Sequence, residues 1–80
     1  MKIPEIKKLV EAYTVAQLRD AEEKLIEEEA LEIEVGGEDE GEQLTHIMAA
    51  IEILEDMGKT GSDFKTALRT YTKRVRNSIN

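Results

Sequence analysis

Leu44-Thr45-His46-Ile47-Met48-Ala49-Ala50-Ile51-Glu52-Ile53-Leu54-Glu55-Asp56-Met57 is the stretch that decides the fold. Leu44, Ile47, Met48, Ala50, Ile51, Leu54 and Met57 recur at helical spacing and fill about half the circumference at ~100° per residue. Ala49 and Ile53 widen that arc. A helix apolar over more than half its girth must touch neighbours on two sides. It is the centre of a bundle or part of a subunit interface.

Working outward, the flanking segments supply such neighbours. Pro4 suits a first helical turn, where its missing N–H costs nothing, and Ile6, Leu9, Val10 and Tyr13 follow at helical spacing. Thr14-Val15-Ala16-Gln17 reads as a capping box that opens a second helix. Val15, Leu18, Ala21, Leu25 and Ile26 form its apolar side, with Glu22 and Glu29 projecting between the rows. Leu31, Ile33 and Val35 then switch to period two, so Leu31–Val35 is expected to be extended, and Gly36-Gly37 ends it. It is either a strand that pairs with another chain or an extended linker laid on the bundle, and the linker is favoured. The central helix is expected from about Gly41 to Met57, with Gly58 as a left-handed cap. Ser62 or Asp63 then caps a last helix with Phe64, Ala67, Leu68, Tyr71, Val75 and Ile79 as its inner stripe.

The expected fold is all-α, a small antiparallel helical bundle of three main helices plus a short N-terminal helix. An acidic loop and extended segment, which includes Glu38-Asp39-Glu40, joins helices two and three. Eighty residues form one domain, spanning 1–80. No cysteine is present, so there is no disulfide framework and no thiolate metal site, which favours the cytoplasm. No apolar run approaches the ~20 residues that span a bilayer, so no membrane contact is expected.

Charge divides the chain sharply. Between Asp20 and Asp56 lie fifteen acids and one base, Lys24, whereas Gly61 to Asn80 holds five bases and one acid, Asp63. Lys65, Arg69, Lys73 and Arg76 fall on one ridge opposite the Phe64/Leu68/Tyr71 stripe. Such a ridge could contact phosphate or nucleic acid. The formal charge of -7 opposes that at long range, and no aromatic on the ridge could stack bases. A solvated or internally paired ridge is the expectation, with Glu22 and Glu29 as available partners.

The remaining constellations fail as chemistry. Aligning Gly41 with the glycine of a calcium loop puts Gly36 and Ile47 at positions that require carboxylates. His46 is the only histidine; Glu42 lies one turn before it and could share a metal, but no second histidine completes a zinc set. On the wheel His46 sits at the flank of the apolar arc and reads as a half-exposed structural residue. No nucleophile elbow and no phosphate loop is present. The chain is therefore expected not to be an enzyme and to need no cofactor.

Met1-Lys2-Ile3-Pro4-Glu5-Ile6-Lys7, Gly41-Glu42-Gln43-Leu44-Thr45-His46-Ile47-Met48-Ala49-Ala50-Ile51-Glu52 and Val75-Arg76-Asn77-Ser78-Ile79 resemble one uncharacterised family. It comprises short bacterial helical proteins labelled only as a domain of unknown function. The resemblance spans nearly the whole chain and implies no established activity and no catalytic residues. It also implies a redox-linked protein partner, although a cysteine-free chain could not carry thiol chemistry itself. The leading expectation is a small non-enzymatic interaction or adaptor module, working on another protein or as a homodimer. Leu31, Ile33, Val35, Ile53 and Met57 are its candidate surface. The alternative is anion binding through Lys65, Arg69, Lys73 and Arg76.

Overall fold

Each helix begins where the sequence provides a chemical start. In the computed structural model, which describes residues 2–78 (Ser78 by its backbone alone), α1 runs Ile3–Ala12 with proline in its first turn. Helix α2, Val15–Ile26, opens on the expected capping box. The Gln17 N–H donates to Thr14 Oγ1 at 3.2 Å, and the Thr14 N–H donates to Gln17 Oε1 at 2.9 Å. Two backbone N–H groups that the helix start leaves open are thus satisfied locally. Helix α2 ends at Glu27, and the backbone turns left-handed at Glu28, φ 60°. Glu29 N–H then reaches back to the Lys24 carbonyl at 2.7 Å, and Glu28 N–H to that of Leu25 at 3.2 Å, a Schellman-type stop.

Helix α3, Glu40–Thr60, is capped by Asp39, whose Oδ1 accepts from the Glu42 N–H at 2.7 Å. It runs one turn further than the glycine pattern predicts. Gly58 lies inside the helix, and the left-handed cap is Gly61 at φ 71°. The Thr60 hydroxyl bonds back to the Asp56 carbonyl, which continues the last turn past Gly58. Asp63 then accepts from the Thr66 N–H at 2.9 Å and starts α4, Phe64–Ser78.

Helices α1, α2 and α4 each pack chiefly against α3. Arg19, early in α2, meets Glu55, late in α3, at 2.6 Å, and Arg74 of α4 pairs with Glu52. Those pairs fit antiparallel neighbours on two sides of a central helix. The core draws Ile6 and Leu9 from α1, Leu18 and Ala21 from α2, Ile47, Ala49, Ala50 and Ile53 from α3, and Ala67 from α4. Fully burying an aliphatic side chain of this size contributes about 1.5–3 kcal/mol, so α3 supplies the largest share. No strand occurs among the described residues. The all-α bundle is therefore as expected.

The wheel positions need three corrections. Met48 is 50 % exposed and Ile26 is 64 % exposed, whereas Ile53 is fully buried. The centre of the α3 stripe is turned toward Ala49 and Ile53, because α1, α2 and α4 together cover a wider arc than one apolar face. Ile26 lies at the last residue of α2, past its buried Leu25, where nothing further covers it. Within α4, Ala67 and Tyr71 are buried and Phe64, Leu68 and Val75 half-buried, as the inner stripe requires; Ile79 lies outside the described residues.

Two neighbouring side chains of α3 should respond very differently to truncation. Ile53→Ala is expected to cost about 2–5 kcal/mol, and Met48→Ala less than about 1 kcal/mol, in urea unfolding monitored by circular dichroism. Helix α4 also carries a pH term. The Thr66 backbone N–H holds the Asp63 carboxyl below its ordinary value, so this contribution is present above the unfolded-state value and is lost as pH falls through the folded one. Asp63→Asn, which can still cap, should remove that part of the acid sensitivity in melts taken across the carboxylate range.

Candidate functional site

The segment between α2 and α3 runs from Glu27 to Asp39, and side-chain bonds to its backbone lay it across the bundle. Tyr13 Oη accepts from the Glu34 N–H at 3.2 Å. Gln43 Nε2 donates to the Val35 carbonyl at 3.0 Å, and His46 Nδ1 donates to the Gly36 carbonyl at 2.8 Å. Val35 is buried, Leu31 and Ile33 are half-buried against the core, and Glu32 and Glu34 face solvent. The alternation thus lays the linker on the helices with its apolar residues inward, although the backbone bends at Glu32 and Ile33 and is not extended throughout as expected. Gly37 has φ 152°, and a Cβ there would lie 2.9 Å from the Gln43 backbone nitrogen, so glycine is required where the linker crosses the start of α3.

His46 is the joint of this arrangement, and it is completely buried. The Lys2 N–H, at the start of α1, donates to its Nε2 at 2.9 Å, so that nitrogen is bare and the proton sits on Nδ1. One neutral ring therefore satisfies a donor from α1 and an acceptor from the linker. The half-exposed histidine expected from the wheel is wrong, because its partners come from segments ten and forty-four residues away. Sharing a metal with Glu42 would require breaking the Lys2 bond, which already takes the one lone pair of the ring. Glu42 Oε1 accepts from the Glu38 N–H at 3.1 Å instead. Among the described residues no cluster of three or more His, Cys, Asp or Glu comes together to hold a metal.

Two open grooves flank the linker. One, of about 580 Å³, lies between the linker and α2, with Ala16, Ala21 and Ile33 as apolar wall and Asp20, Lys24 and Glu32 at its rim. Lys24 bridges Glu32 at 2.9 Å and Asp20 at 3.2 Å. The hydrogen bond to Glu32, with Asp20 adding to it, raises the Lys24 ammonium above its ordinary value despite partial desolvation. The second groove, of about 540 Å³, lies against α1 and is lined by Leu9, Ala12, Tyr13 and Val35 with Glu5, Lys8 and Glu34.

The five residues expected to form an interaction surface do not form one. Val35 and Ile53 belong to the core, and Leu31, Ile33 and Met57 are half-buried against it. Exposed apolar surface lies instead at Ile3, Ile26 and Met48. Lys65, Arg69, Lys73 and Arg76 are all exposed and form no salt bridge with a described residue, although Asp63 lies close enough to Lys65 to interact with its charge. No salt bridge among the described residues joins Glu22 or Glu29 to them, since α2 and α4 each pack chiefly against α3. The base of α4 that does pair is Arg74, with Glu52, and this pair sits beside the buried Tyr71. Burial raises the Tyr71 phenol above its ordinary value; Glu52 adds to the rise and Arg74 opposes it.

The geometry defines a small all-helical domain whose polar interior serves the clasping of a linker. The chain belongs to a family of unknown function (DUF6952), whose profile matches residues 1–80. No curated protein and no solved structure gives a significant match. No described helix is long and apolar enough to cross a membrane.

Removing the imidazole would orphan two backbone groups at once. His46→Ala is expected to lose about 2–5 kcal/mol, since each unsatisfied buried group costs about 1–3 kcal/mol. His46→Gln, whose amide can both donate and accept, should lose less. Urea titration gives the magnitude, and faster amide exchange at Lys2 would locate the damage.

Proposed function

We propose that this protein is a small non-enzymatic interaction module that engages another protein, or a second copy of itself, through the side where α2 runs into the linker. One observation carries this reading. Ile26, the most exposed large apolar residue among those described, stands at the end of α2, next to the start of the linker, with nothing covering it. An exposed aliphatic at a helix end is the kind of residue that a protein partner covers. The polar groups in the groove are mutually paired around Lys24, which suits recognition better than proton transfer or nucleophilic attack.

The alternative is binding of phosphate or nucleic acid by the α4 ridge, and its support is the exposure of all four bases. It predicts salt-sensitive retention on heparin that fades when Arg69 and Lys73 become glutamine.

Ile26→Glu changes the patch without touching the core. Capture from native lysate on the immobilised parent and on this variant should differ by a protein that only the parent retains. Identical captured sets would remove the proposed surface.

A further inference from the structure

We infer that the outer face of α4 docks on the outer face of α2 of a second copy of this chain, charge against charge. The inference deepens the interaction reading and rests on it for the class of partner.

Three observations carry it. First, Lys65, Arg69 and Lys73 follow one another at four-residue spacing, so they stand in a row about 12 Å long at 1.5 Å per residue. Arg76 extends the row by a further turn, and all four residues are exposed and make no salt bridge with a described residue, Lys65 alone feeling the nearby Asp63. Second, Asp20 and Glu23 on α2 and Glu27 at its C-cap lie at i, i+3 and i+7, all exposed, in a row about 10 Å long. Glu32, 77 % exposed, stands at the same rim through the shared Lys24. The two rows match in length and oppose in sign.

Third, the fold keeps them apart. Helices α2 and α4 are both laid chiefly on α3, and among the described residues no salt bridge joins an acid of α2 to the basic ridge. A second copy can present what the first lacks. In an isologous pair the contact occurs twice, α4 on α2 and α2 on α4, which closes the assembly at two chains. Each copy carries -7, so approach is opposed at long range and favoured only when the rows face each other. That makes the contact specific in orientation and weak.

Two charge-reversed variants test this in the full chain by equilibrium sedimentation. One carries Arg69→Glu and Lys73→Glu, the other Glu23→Lys and Glu27→Lys; circular dichroism verifies that each remains helical. The parent should double in mass at high micromolar concentration in low salt. Each variant alone should stay monomeric, because both contacts of the pair become repulsive. An equimolar mixture should regain the doubled mass, because one contact is then the native base-on-acid pair and the other is the same pair with its signs exchanged. A parent that stays monomeric, a variant that still doubles, or a mixture that does not recover would each overturn the inference. If the monomeric parent binds a short DNA duplex, the ridge is an anion site and the self-pairing is wrong. A monomeric parent that keeps its Ile26-dependent capture overturns the self-pairing alone and leaves the interaction reading standing.

Discussion

Helix α3 cannot stay in water, and everything else in the molecule follows from that. Within eight residues it buries His46, Ile47, Ala49, Ala50, Ile51 and Ile53, which together cover somewhat more than half its circumference at ~100° per residue. A helix apolar on one side needs one neighbour; this one needs a sheath. Helices α1, α2 and α4 supply it, each short and each charged on its outer side. The small residues Ala49 and Ala50 allow close approach at the places where three neighbours converge. The outer helices have little reason to touch one another, and they scarcely do.

The sheath has a gap where thirteen residues cross from α2 to α3, and His46 closes it. Its ring is the only buried polar or charged side chain among the described residues, and both of its nitrogens are spent on backbone. Backbone bonds suit this task because the crossing segment has no helix to satisfy its own groups. Gln43 and Tyr13 hold adjacent peptides in the same manner. A polar group in an aliphatic core is costly when left alone, so the pairing that hides His46 also fixes where the linker must lie.

Local chemistry was legible in the sequence, and remote pairing was not. The capping box at Thr14 and Gln17, the Asp63 cap and the inward alternation of Leu31, Ile33 and Val35 are read from neighbours a few residues apart. Met48 and Ile53 were assigned to the wrong parts of the α3 arc, because a wheel centred on the greasiest face assumes one packing direction. His46 was placed at the flank for the same reason: no periodicity announces hydrogen bonds to Lys2 and Gly36. Gly58 alone signals an end to α3, and the back-bonding Thr60 hydroxyl carries the helix past it. The site suffered more than the fold. Its candidate apolar residues were chosen as those with most hydrophobicity, and burial takes those residues first.

Helix α4 is joined to the rest by a single seam. Ala67 and Tyr71 are its buried side chains, and the Arg74–Glu52 pair is an exposed one. Its mean hydropathic content is low, and five of its fifteen residues are cationic. A helix with one lining and no clasp is the unit that opens first when the native state breathes. The molecule is therefore graded: a tightly held middle, and a detachable, positively charged arm whose departure would strip water-exposed charge from the domain while leaving α1 and α2 seated.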